Sequence, residues 1–161
     1  MTSLHLWRMP LRLWTEASDG WGLLALRLWL GQEFAWAGYT KLASGPHAPA
    51  WFAALDFPFG VAALPVDVNW VLAGATELLC AVALVLGWQA RIAALALLFV
   101  SHVAIYTVHF DLGWAGWREI ETEAGLGFKV PLMMGIMLLT VLTQGAGRWS
   151  VDRHRMASAR S

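Results

Sequence analysis

Trp21 to Lys41 reads WGLLALRLWLGQEFAWAGYTK, an apolar block one membrane crossing long with Arg27 and Glu33 in its interior. A bilayer core about 30 Å thick takes roughly 20 mostly apolar helical residues. A charge inside it costs about 2.5–3.5 kcal/mol on insertion scales, so such residues usually face a bundle interior and mark function. A second block, Asn69 to Trp88 (NWVLAGATELLCAVALVLGW), repeats the pattern around Glu77. Two more follow, Arg91 to His109 and Phe128 to Gln144, and the run Ile92 to Val100 holds no polar side chain.

The four blocks and their connectors use up most of the 161 residues, which leaves no room for a second domain. With 58% hydrophobic and 14% charged residues, most helices lack the polar face that a soluble bundle requires. Trp21, Trp70, Trp88, Trp114, Trp117 and Trp149 fall at or near block ends, the pattern of an aromatic belt at the headgroups. The expected fold is an all-α membrane protein, a four-transmembrane-helix bundle.

Its orientation follows from lysine and arginine. Four crossings put Arg8, Arg12, Arg91, Arg148, Arg153, Arg155 and Arg160 on one side, against Lys41, Arg118 and Lys129 on the other. The positive-inside rule then places both termini in the cytoplasm. The outer loops carry Asp56, Asp67, Asp111, Glu119, Glu121 and Glu123, so a formal net charge of zero hides a strong asymmetry and argues against nucleic acid as a partner. Residues 1–20 carry charges and Pro10 where a signal peptide would be apolar, while Leu4, Trp7, Leu11 and Trp14 recur at helical spacing. They read as a short interfacial amphipathic helix on the cytoplasmic surface. The expected organisation is that helix at 1–20, the membrane domain at 21–144 and a basic cytoplasmic tail at 145–161.

Cys80 stands alone among apolar residues, which removes disulfide and dithiol chemistry. There is no glycine-rich phosphate loop, zinc spacing or nucleophile elbow, hence no self-contained catalytic motif. The chemistry left is carried by polar residues within the blocks. Arg27, Gly31, Ala35, Gly38 and Leu42 share one helical stripe, and Trp70, Gly74, Glu77, Ala81 and Leu84 share another, so each is a packing face. Glu77 is expected to meet Arg27, Lys41 or a histidine. In the third block Arg91, Leu95, Leu98, His102, Tyr106 and His109 form a polar-tipped stripe, with His102 and Tyr106 placed to share a proton or grip a quinone oxygen. Two histidines seven residues apart lie about 10 Å apart along the axis, too far to hold one ion together. A haem or metal would need a further ligand such as Glu77 or Glu33. Plainer readings stand beside these: Arg27 snorkelling to headgroups, His102 as a bond between helices, and Lys41, Arg91, His109 and Lys129 as interfacial anchors.

Arg27-Leu-Trp-Leu-Gly31 with Phe34-Ala-Trp-Ala-Gly38-Tyr-Thr-Lys41 resembles the first helix of DoxX-family membrane proteins. Glu77-Leu78 with Gly87-Trp-Gln-Ala-Arg91-Ile-Ala-Ala94 is similar to that family's second helix, turn and third-helix start, and Gly145-Ala-Gly-Arg-Trp-Ser-Val-Asp152 to its ending. The resemblance spans Arg27 to Asp152. It implies a bacterial inner-membrane protein with a short periplasmic loop helix between the first two spans, here Pro49 to Phe59, laying Trp51, Phe52, Leu55 and Phe57 flat on the membrane. It also implies association with oxidoreductase assemblies, including thiosulfate-to-quinone electron transfer and oxidative-stress responses. Arg27, Lys41, Glu77 and Arg91 match motif positions.

The reading that results is an integral inner-membrane subunit of a redox assembly, binding a quinone or docking a protein partner in the membrane or periplasm. Glu77 and His102 would manage protons while Arg27 fixes the carboxylate, with Glu33, Lys41, Tyr106 and His109 lining the cofactor. The small-residue stripes permit a homo-oligomer. The alternatives are a non-catalytic scaffold or assembly factor and a small-molecule carrier, the last disfavoured by the lack of an inverted repeat or paired broken helices.

Overall fold

The computed structural model describes residues 20–58 and 60–158. Apart from Gly20, the expected interfacial helix lies outside the described residues. The elements are α1 (Trp21–Ala43), α2 (Ala50–Ala53), α3 (Val66–Leu86), α4 (Ala90–Val108), a 3-10 turn (Gly113–Arg118), a hairpin of β1 (Glu121–Thr122) and β2 (Gly125–Leu126), α5 (Lys129–Gln144) and α6 (Val151–Ser158). The chain is thus mostly helical, and α3 and α4 are both long and apolar enough to cross a membrane.

The four long helices coincide with the four apolar blocks to within three residues. α3 starts at Val66 rather than Asn69 because Pro65, extended at φ −55° and ψ 141°, closes the loop before it and Asp67 favours the first turn. It stops at Gly87, which takes a left-handed φ of 65° and lets Trp88 N–H donate back to Ala83 at 2.9 Å. α1 packs on α3, α3 on α4, α4 on α5 and α5 back on α1, closing a four-helix arrangement. The core is aliphatic, with Leu30, Leu84, Leu97, Leu138 and Val141 fully buried.

Both small-residue stripes are packing faces, as expected. The stripe on α3 is buried throughout, from Trp70 to Leu84. On α1, Gly38 lies against α3 so closely that a Cβ there would sit 2.6 Å from the Gly74 carbonyl oxygen and 2.7 Å from the Leu78 nitrogen. The opposite helix faces are apolar and exposed: Leu79, Ile92, Leu95, Phe99, Met133 and Ile136 all point away from the core.

One expectation is corrected, and two details are added to the fold. Within this mostly helical chain, Gly125 at φ 138° and Thr122, whose hydroxyl bonds the Gly125 carbonyl, turn the acidic loop into a short two-stranded antiparallel hairpin. The loop helix is a single turn, and Phe52 does not lie flat. It is buried, with its ring 4.9 Å from Trp70 and 5.0 Å from Phe57, leaving Trp51 exposed. The segment that follows α5 contains α6.

Candidate functional site

α1 and α3 bring Lys41 and Glu77 together. Lys41 Nζ donates to both carboxylate oxygens, at 2.7 and 3.0 Å, and the glutamate side chain is 7% exposed against 21% for the lysine. The geometry follows from helix lengths. Glu77 is eleven residues into α3, about 16 Å along the axis, whereas Lys41 sits in the last turn of α1 and its flexible stem reaches back toward the helix interior. The close approach at Gly38 permits the bond, since Gly38 also abuts the Glu77 Cβ. A buried pair is held by mutual neutralisation, so removing either partner leaves an uncompensated charge.

Above this pair, α3 pins the loop that precedes it. Trp70 Nε1 donates to the Gly45 carbonyl at 3.3 Å, Asn69 donates to the Val61 carbonyl at 2.9 Å, and Asp67 accepts from Ala48 N–H at 2.8 Å. Gln32, Ala35, Trp36, Tyr39 and Leu78 line an open groove of about 470 Å³ on the outward face of α1 and α3, and among the described residues neither Lys41 nor Glu77 lines it.

Arg27 belongs to a different cluster. It is fully buried, and its two terminal nitrogens donate to the Ala146 and Trp149 carbonyls at 2.6 Å each, while Nε has no partner among the described residues. The expectation that Arg27 fixes the Glu77 carboxylate is therefore corrected: fourteen residues of α1, about 21 Å, separate it from Lys41. Its guanidinium lies where a Cβ at position 87 would fall, so the Gly87 turn needs glycine for space as well as for its positive φ. Asp152 completes the arrangement from α6, accepting from Gln89 N–H at 2.8 Å and Ala90 N–H at 3.1 Å, and its own N–H donates to Gly87 O at 3.0 Å. It thereby caps the start of α4.

The remaining candidates do not join the pair. Glu33 is half-buried on α1, while His102 and Tyr106 lie on the exposed face of α4. That helix buries Ala90, Ala93, Ala94, Leu97 and Ser101 instead, because small side chains let α3 and α5 approach. The polar-tipped stripe thus turns outward, and His102 is not placed opposite the Glu77 carboxylate that α1 covers. His109 follows the last residue of α4 and is half-buried, its Nδ1 enclosed without a hydrogen-bond partner among the described residues. Burial lowers its pKa below the ordinary histidine value, against the opposing pull of the Gly127 backbone and Asp111. Cys80 is half-buried beside the aliphatic core.

Asp152 and Asn69 carry structure that sequence reasoning missed. A signal for Asp152 was present: no Ser, Thr, Asp or Asn precedes α4, so its unpaired N–H groups require a remote acceptor.

The described helices form a closed apolar set with outward aliphatic faces and an ion pair between two of them. Residues 22–110 match the DoxX family model. An uncharacterized protein of Haemophilus influenzae is 36% identical over 136 residues, covering 83% of each chain. The chain belongs to the DoxX family. No solved structure matches it. Family and apolar helices together point to the membrane.

Proposed function

We propose that α1, α3, α4 and α5 all cross the bacterial inner membrane, with both termini in the cytoplasm, and that the protein serves as a small subunit of a redox assembly. The outward aliphatic faces of α4 and α5 support four crossings, and the lysine and arginine asymmetry supports the orientation. α5, at 16 residues or about 24 Å, calls for local thinning of the bilayer.

The observation that carries the functional reading is the buried Lys41–Glu77 pair, one residue along α3 from Leu78 in the wall of an aromatic groove. The groove suits a quinone ring: Trp36 offers a flat face, and Gln32 and the Tyr39 hydroxyl are hydrogen-bond donors. Such a ring supplies reversible two-electron, two-proton chemistry when bound. The chain's own part is to bind and orient it and to hold a proton on the Lys41–Glu77 pair. His102 and Tyr106, turned outward on α4, are placed to meet a partner helix in the membrane.

Adding a short-chain ubiquinone analogue to the detergent-purified protein tests this reading through tryptophan fluorescence. Saturable quenching that Trp36→Leu and Glu77→Gln each weaken supports it, and quenching indifferent to both substitutions contradicts it.

A second reading, a non-catalytic assembly factor, is favoured by the mutual satisfaction of Lys41 and Glu77, which leaves neither needing a ligand. It predicts that Lys41→Met/Glu77→Leu, which removes both charges together, keeps abundance and partner activity, whereas a functional carboxylate loses activity in that variant at recovered abundance.

A further inference from the structure

At the end of the bundle opposite the hairpin, the start of α4, the end of α5 and α6 enclose a cavity of about 650 Å³. Arg91, Arg148, Arg153 and Arg155 line it, and Asp152 is the carboxylate among its described lining residues. Both oxygens of Asp152 are already taken by the Gln89 and Ala90 backbone N–H groups. Asp152 is thus committed to capping a helix, and the four guanidinium groups outnumber it. Arg91 spends one nitrogen on the Leu142 carbonyl at 3.0 Å, while its Nε and Nη2 lie beside Gly145. Behind the cavity wall, buried Arg27 adds a further positive charge, hydrogen-bonded among the described residues to neutral carbonyls and facing Asp152 through space.

We infer that this cavity binds a phosphate-bearing anion, and that the source is the headgroup of an anionic phospholipid. Guanidinium forks match phosphate oxygens in pairs, and basic pockets between membrane helices hold such headgroups. The depth also fits. Next to the lining residues Arg148 and Ser150, Trp149 packs at a tilt against Trp21, centroids 5.7 Å apart, with Arg148 5.9 Å from the Trp149 ring, which are residue types that settle at headgroup level. The inference requires the membrane reading and is independent of any quinone.

Native mass spectrometry of the full chain in detergent, after delipidation, tests it with added cardiolipin, phosphatidylcholine and inorganic phosphate. The expected result is a cardiolipin adduct preferred at least ten-fold over phosphatidylcholine and weakened ten-fold or more by Arg91→Gln/Arg153→Gln/Arg155→Gln. Since Arg91 also braces α5, the exposed pair Arg153→Gln/Arg155→Gln serves as the second variant and is expected to lose at least three-fold. Displacement of cardiolipin by millimolar inorganic phosphate would keep the phosphate site but make a soluble anion its ligand. Equal binding of the two lipids, or cardiolipin binding unchanged in both variants, would overturn the inference.

Discussion

Lys41 and Glu77 answer one another through three-centre contacts from a single ammonium, so each makes the other's burial tolerable. Substituting one partner strands the other, and Glu77→Gln or Lys41→Met is expected to destabilise the protein by about 3–5 kcal/mol, the range for broken buried pairs. Titration with a denaturing detergent against helix content measures this. Lys41→Met/Glu77→Leu, which removes both charges, should recover most of the loss. His109 behaves differently. Its folded-state pKa lies below the ordinary value near 6.5, so the unfolded chain takes up a proton more readily. Stability is then full above about pH 6.5 and falls as the solution is acidified. Comparing melting temperatures at pH 7.5 and 5.5 checks this, with a smaller drop expected for His109→Gln.

At the scale of elements, contact between α1 and α3 depends on Gly38, where an added methyl would meet backbone on both sides. Gly38→Ala should therefore lower the melting temperature, whereas Gly22→Ala, which opens onto empty space, should leave it nearly unchanged. α4 depends on Asp152 across the turn, and Asp152→Ala is expected to cost about 1 kcal/mol, typical of a lost helix cap, and to speed trypsin cleavage after Arg153. Element positions were legible because apolar length, tryptophan and glycine mark the ends of each block. Which face of α4 turns inward was not. His102 and Tyr106 share a stripe, but so do Ala90, Ala94, Leu97 and Ser101, and packing chose the smaller side chains. Polar residues at helical spacing announce a stripe without saying what it faces. The hairpin was hidden for another reason: strands of two residues are too short to show alternation.

For the whole molecule, the buried charges divide between the two ends of one helix. Glycine stripes and block order made the α1–α3 contact legible, but three cations were available to Glu77, and only the offset of the helices selects Lys41 over Arg27 and the histidines. Arg27 instead ties α1 to the segment after α5 and packs against the Gly87 turn, so one buried charge pairs two helices and the other holds the chain that follows α5. The most direct test is a pair of double-mutant cycles in reconstituted protein, Glu77→Gln with Lys41→Met and Glu77→Gln with Arg27→Met. Two separate clusters predict coupling above about 1 kcal/mol for the first cycle and additivity within about 0.5 kcal/mol for the second. Strong coupling of Glu77 to Arg27, with none to Lys41, would contradict the account.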